Sequence, residues 1–187
     1  MRSFFICNLK RMLILLVIIA GVIIGKESFG QTRESLIKAG YIEKFTHFVK
    51  WPATISNIDS AETFIISIIG RNTFGNDLNE LFSKVKINNK IVRINYISSI
   101  EEIKNSKVLF ISESEEMNLD KIINYAKNKP ILTISDSKGF GEKGVLINMF
   151  TEDNYIRYEL NRTTLEKSGL KINSLLLNYA VIIKSDG

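Results

Sequence analysis

The sequence predicts one α/β domain, three-layer-like, with a mixed, mostly parallel sheet flanked by helices and ending in a β-hairpin and helix. Three observations predict it. Thr63–Ile69 and Val108–Ile111 are nearly unbroken apolar, β-branched runs, the mark of strands buried on both faces. Helical periodicity alternates with such runs through the middle of the chain, which implies right-handed crossovers and a parallel sheet. Val145–Thr151 and Tyr155–Leu160 then flank Glu152-Asp153-Asn154, a hairpin pattern.

The elements follow in order. Residues 32–51 read as a helix, with Leu36, Ile37, Tyr41, Phe45, Phe48 and Val49 at three- and four-residue spacing. Thr32 suits the N-cap, and Trp51-Pro52 closes the helix because proline disfavours helical geometry in the residue before it. Ser56–Glu62 reads as a polar connector. After the strand Thr63–Ile69, Asn76–Ser83 reads as a helix with Leu78, Leu81 and Phe82 inward. Val85–Ile87 and Ile91–Ile97 flank Asn88-Asn89, a turn because asparagine tolerates left-handed geometry. Ser98 or Ser99 caps a short helix carrying Glu101 and Glu102. Asn118–Asn128 is a helix with Leu119, Ile122, Ile123 and Ala126 on one side, and Pro130 restarts the chain into the strand Ile131–Ser135. Thr163–Ser168 is a helix stopped by Gly169. Ser174–Tyr179 starts a last helical turn, and Val181–Ile183 fits strand or helix.

The first thirty residues stand apart. Lys10 and Arg11 precede the apolar run Met12–Ile24, with small Ser28 and Gly30 before Gln31. A basic stretch, a short apolar core and small residues form the secretory pattern, so residues 1–30 are expected to be a signal peptide and 31–187 the domain. The apolar run is shorter than the ~20 residues that cross a bilayer as a helix, and membrane contact would come only through an uncleaved leader. Cys7 precedes the run, which argues against lipidation, and it is the one cysteine in the chain. The chain carries +5, of which Arg2, Lys10, Arg11 and Lys26 against Glu27 supply +3, leaving +2 for the rest. A near-neutral body is not a nucleic-acid binder, which needs a concentrated basic face. One cysteine and one histidine, His47, exclude a disulfide framework, a cysteine zinc cluster and a two-histidine metal site.

Catalytic patterns are weak. Gly70-Arg-Asn-Thr-Phe-Gly75 lies between a strand and a helix, but Asn76-Asp77 follow where a phosphate-cradling loop needs Lys and Ser or Thr. Arg71 and Asn72 are therefore candidates only for a small ligand in the cleft at the carboxyl end of the sheet. Asp136 as acceptor and Phe140 as a hydrophobic lid, in the polar loop after Ser135, are candidates for the same cleft. His47 has no nucleophile elbow to serve. Glu101, Glu102, Glu113, Glu115 and Glu116 read as solvated cap charges, and the glycan sequon Asn161-Arg-Thr163 carries no weight alone. No catalytic residue, cofactor or metal is expected. Tyr41, Phe48 and Trp51 are candidates for partner binding, since aromatic residues anchor interfaces.

The series Tyr41, Lys44, Phe45, Phe48, Val49, Trp51 and Pro52; then Ile68-Ile-Gly-Arg-Asn-Thr-Phe-Gly75; Val108-Leu-Phe-Ile111; Leu132-Thr-Ile-Ser-Asp-Ser137 with Gly139 and Phe140; Gly144, Ile147 and Asn148; and Gly169-Leu-Lys-Ile-Asn-Ser174 with Leu176 and Leu177 resembles the YfiR family of exported proteins over nearly the whole body. The resemblance implies a periplasmic α/β regulator, not an enzyme. It implies a membrane-bound signalling partner, a sensor kinase or a diguanylate cyclase whose repression limits cyclic-di-GMP and biofilm. A homodimer is a further option. Some relatives use cysteine pairs for redox control, which a body without cysteine excludes. The alternative is a periplasmic small-ligand-binding protein feeding an envelope sensor kinase or transport system.

Overall fold

The structure, a computed structural model, describes residues 34–52 and 63–185. The expected leader, the Thr32 N-cap and the connector Ser56–Glu62 lie outside the described residues. Helix α1 covers 34–48 and turns directly into β1, Val49–Lys50. The expected helix 32–51 therefore ends early. Val49 and Lys50 pair antiparallel with Ile172 and Lys171, and Asn173 N–H donates to Phe48 O at 2.9 Å. This tertiary ladder outcompetes a further helical turn at Val49, a β-branched residue.

Strand β2 (Thr63–Ile69) leads to α2 (Asp77–Lys84), then to the hairpin β3 (Lys86–Ile87) and β4 (Lys90–Ile97). Asn88 and Asn89 both adopt positive φ, 50° and 64°, the left-handed pair of a two-residue hairpin turn. Ser99 and Glu102 form a reciprocal capping box on the 3-10 turn Ile100–Ile103, as a Ser-x-x-Glu spacing should. Next come β5 (Val108–Ile111), the 3-10 turn Glu113–Asn118, α3 (Leu119–Ala126) and β6 (Leu132–Ser135). The second hairpin is β7 (Ile147–Glu152) and β8 (Tyr155–Asn161). Its turn is Asp153-Asn154 alone, because Glu152 pairs with Tyr155 and both turn residues have positive φ. Helix α4 (Arg162–Ser168), stopped by Gly169 at φ 72°, β9 (Lys171–Ile172), α5 (Ser174–Asn178) and β10 (Val181–Ile183) complete the chain. Val181–Ile183 is thus strand.

The main sheet has eight strands in the order β10-β8-β7-β6-β5-β2-β4-β3. From β4 to β7 neighbours are parallel; β3 runs against β4 and β8 against β7, while β10 is parallel to β8. Two separate cores confirm three layers. Phe64, Ile66, Val108 and Phe110 share one face with Ile42 and Phe45 of α1 and Leu78 and Phe82 of α2. Ile69, Leu109 and Ile111 share the other with Leu119 and Ile122 of α3. The alternation along β5 sends successive side chains to opposite cores, which explains its continuous apolar run.

Candidate functional site

The crevice that usually binds ligands in such sheets opens where neighbouring strands send their connections in opposite directions, here between β2 and β5. It is filled. Gly70 ends β2 at φ 90° against the turn after β5, and Arg71 N–H donates to Ser114 Oγ at 2.8 Å. A Cβ on Gly70 would stand 2.5 Å from Ser114 Oγ and 2.9 Å from Glu115 Cγ. The glycine is needed for this close approach as well as for its backbone angle.

Of the expected ligand residues, Asp136 lines a hollow together with Thr73 and Phe74 of the loop that carries Arg71 and Asn72. Asn72 is used by its own loop: Nδ2 donates to Gly75 O and Oδ1 accepts from Phe74 N–H. Arg71 is exposed. Phe140 is not a lid; it is 1% exposed in the second core, beside the Ile122 and Val145 cluster. Its neighbours there are apolar, so burial wins over loop exposure. Asp136 accepts from Lys38 Nζ at 2.7 Å, and Glu34 holds the same ammonium at 2.7 Å. Burial pulls the Lys38 pKa down, yet hydrogen bonds and charge from Asp136 and Glu34 outweigh it and leave it raised. Asp136, Lys38, Thr73 and Phe74 line a hollow of about 160 Å³, with Ser35 bonded to Asp77 alongside. Lys38 thus clamps α1 to the loop after β6.

His47 is half-exposed, with Nε2 2.6 Å from Glu43 Oε1 one helical turn back. Glu102 serves its capping box, Glu115 accepts from Asn118, and Glu116 faces Lys143, all at the surface. Asn161 of the sequon is fully buried and caps α4. Among the described residues, no group of three or more His, Cys, Asp or Glu is placed to hold a metal ion.

A second concavity, about 390 Å³ between α3 and α4, has Ile123 and Ile131 in its floor and Lys127 and Lys167 on its rim. Two hydroxyls of its lining are committed: Thr133 accepts from Leu146 N–H, and Thr164 donates to Gly144 O.

The aromatic helix builds the larger feature. Tyr41, Phe45 and Phe48 of α1 face β8 and α5 across a groove of about 510 Å³, completed by Ile156, Tyr158, Leu175 and Tyr179. Phe45 and Tyr158 meet edge to face at 5.0 Å, and Tyr41 lies tilted to Phe45 and edge-on to Tyr158. Each such ring pair contributes about 0.5–1.5 kcal/mol beyond its buried area. Tyr41 donates to Ile156 O at 2.9 Å and Tyr158 to Leu176 O at 2.8 Å, so the apolar walls are pinned by two hydroxyls. Burial, with Tyr41 and Tyr179 nearby, pushes the Tyr158 phenol up to about 12. Tyr155 and Tyr179 are 72% and 79% exposed at the rim, too exposed for residues serving only the core. Lys44 and Arg157 are the charged residues of the lining; Arg157 pairs with Glu152, and Lys44 has no partner among the described residues.

Tyr41 and Phe48 therefore line one groove, whereas Trp51 does not join them. It packs edge-on against Phe64 at 5.3 Å, and its indole N–H meets no acceptor among the described residues. Sequence reading missed Tyr155, Leu175 and Tyr179. Only their isolation as large apolar groups beside turns hinted at exposure.

The fold and the groove define a class: a three-layer α/β domain with a filled switch-point crevice and an open aromatic groove. Comparison with curated proteins gave no match. The chain belongs to the YfiR/HmsC-like family, whose model matches residues 35–181. That family is periplasmic, regulatory rather than catalytic, and acts on membrane signalling proteins.

Proposed function

We propose that this protein is exported by cleavage of residues 1–30 and that its body, 31–187, restrains a membrane signalling protein from the periplasmic side. Family membership supports a role in cyclic-di-GMP signalling, with a diguanylate cyclase as the partner. The observation that carries the reading is the open groove of α1, β8 and α5, in which Tyr41 and Phe48 are presented beside Lys44, unpaired among the described residues. Aromatic side chains anchored in a rigid wall are suited to protein contact, because little conformational freedom is lost on binding. Restraint requires the groove to prefer the partner's inactive state. Moving that partner from mostly active to mostly inactive takes a preference of about 10⁴-fold. A small-ligand role at Arg71, Asn72, Asp136 and Phe140 draws no support from their placement, since two are committed to local bonds or ion pairs and one is buried.

The test is crosslinking in intact envelopes with the partner identified by mass spectrometry, comparing wild type with Phe48→Ala and Lys44→Glu. The expected result is loss of the crosslinked partner and a rise in cellular cyclic-di-GMP with both variants. Unchanged capture and unchanged cyclic-di-GMP with folded variants would remove the reading.

A further inference from the structure

The outer edge of β8 is only partly used. β7 pairs with β8 from Tyr155 to Leu160, but β10 covers the opposite edge only from Glu159 to Asn161. Over Tyr155–Tyr158 no strand pairs with that edge among the described residues. In a two-residue hairpin closed by the Glu152–Tyr155 pair, the amides of Tyr155 and Arg157 face β7, and those of Ile156 and Tyr158 face outward. The Tyr41 hydroxyl on Ile156 O agrees with this orientation and takes that acceptor, so the groups left for strand addition are the outward amides. Ile156 and Tyr158 line the aromatic groove, and α5 ends at Asn178 before β10 begins at Val181.

The groove's charge is one-sided. Its lining holds Lys44 and Arg157 and no carboxylate; Arg157 is paired with Glu152 at 2.8 Å, and Lys44 is exposed and unpaired among the described residues. An apolar trough beside unpaired strand edge is the geometry of strand addition, in which main-chain bonds give affinity and alternate side chains fill pockets. A helix would leave those outward amides without acceptors, since its own carbonyls are already bonded.

We propose that the groove takes an extended, acidic segment of a partner protein, added as a short strand to β8 along Tyr155–Tyr158. One large apolar side chain of that segment sits between Tyr41, Phe48 and Tyr179, and a carboxylate meets Lys44. The segment lies where β10 would run had it started four residues earlier. This rests on the groove being the regulatory contact proposed above, and names what enters it.

The probe is the capped hexapeptide Glu-Phe-Glu-Leu-Glu-Phe, titrated into nitrogen-15-labelled protein. Two controls accompany it: the same peptide with lysine for each glutamate, and the acidic peptide with alternate backbone nitrogens methylated. The expected result is saturable shifts of the Ile156 and Tyr158 amides with the acidic peptide. The lysine peptide should give none, and backbone methylation or Lys44→Glu should weaken binding about tenfold, the scale of a lost rim charge pair replaced by repulsion. Lys44 is exposed, so its variant folds. Absence of shifts, equal binding of the methylated peptide, or indifference to Lys44→Glu would each overturn strand addition. So would concentration-dependent shifts of the same amides without peptide, which would assign the groove to a second copy. The two readings fail separately. Envelope capture lost in Phe48→Ala with no peptide shifts leaves the regulatory contact standing and removes strand addition. Peptide shifts with capture indifferent to both variants do the reverse.

Discussion

Asn161→Ala should cost about 2–4 kcal/mol of folding stability. The side chain is fully buried and makes two bonds: Oδ1 accepts from Thr164 N–H at 2.9 Å, and Nδ2 donates to Gly141 O at 2.8 Å. The first is the N-cap of α4, and losing such a cap costs about 1 kcal/mol. The second satisfies the carbonyl of a buried residue in the loop after β6, and orphaning a buried acceptor costs roughly 1–3 kcal/mol. At roughly 2–4 °C per kcal/mol for a domain of this size, Tm should fall by about 4–16 °C. Asn161→Ser separates the terms, since serine keeps the cap acceptor and is too short to reach Gly141. It should lose only the second contribution. Urea melts followed by circular dichroism measure both variants. A loss below about 1 kcal/mol for alanine, at unchanged denaturant slope, would refute the two-bond reasoning. Equal losses for serine and alanine would refute the assignment of the cap.

Gly70→Ala should destabilise by roughly 2 kcal/mol or more, because a positive-φ strain of about 1–3 kcal/mol joins the displacement of Ser114 and Glu115; pairing it with Ser114→Ala should recover part of the loss in thermal melts. Glu159 has its carboxyl pKa raised, first by burial and further by Glu142, with the Asn148 amide pulling the other way. A raised folded pKa means the charged form opposes folding, so Glu159→Gln should be the more stable protein at neutral pH. The advantage should shrink as pH falls through the folded pKa and vanish below the unfolded one, where both side chains are neutral; urea midpoints across pH 3–8, a range of about five units around the ordinary carboxylate value, test this.

Elements whose hydrogen bonds and neighbours are local were readable in the sequence. The Asn88-Asn89 turn needs only its own left-handed tolerance, and β5 declares two-sided burial because every residue in it is apolar. The end of α1 was not readable. Val49 and Lys50 continue the helical spacing, and only a ladder to Lys171 and Ile172 turns them into strand. The same limit governs the groove. Tyr41 and Phe48 announce an aromatic wall, but Tyr155, Leu175 and Tyr179 enter it from distant segments. Phe140 shows the opposite failure: a polar, glycine-bearing loop suggested exposure, while the second core had room for its ring.

The pairing of β1 with β9 joins residues separated by roughly 120 positions, and it fastens the very helix that leaves the ribosome early. Closing so long a loop is entropically slow, and contacts of this range delay folding. The amphipathic helix 34–48 must therefore wait, half-clothed, for nearly the whole polypeptide to arrive. A product cut short before Lys171 would keep most of its sheet-forming sequence yet leave that helix unfastened at its carboxyl end, a natural target for proteolytic quality control.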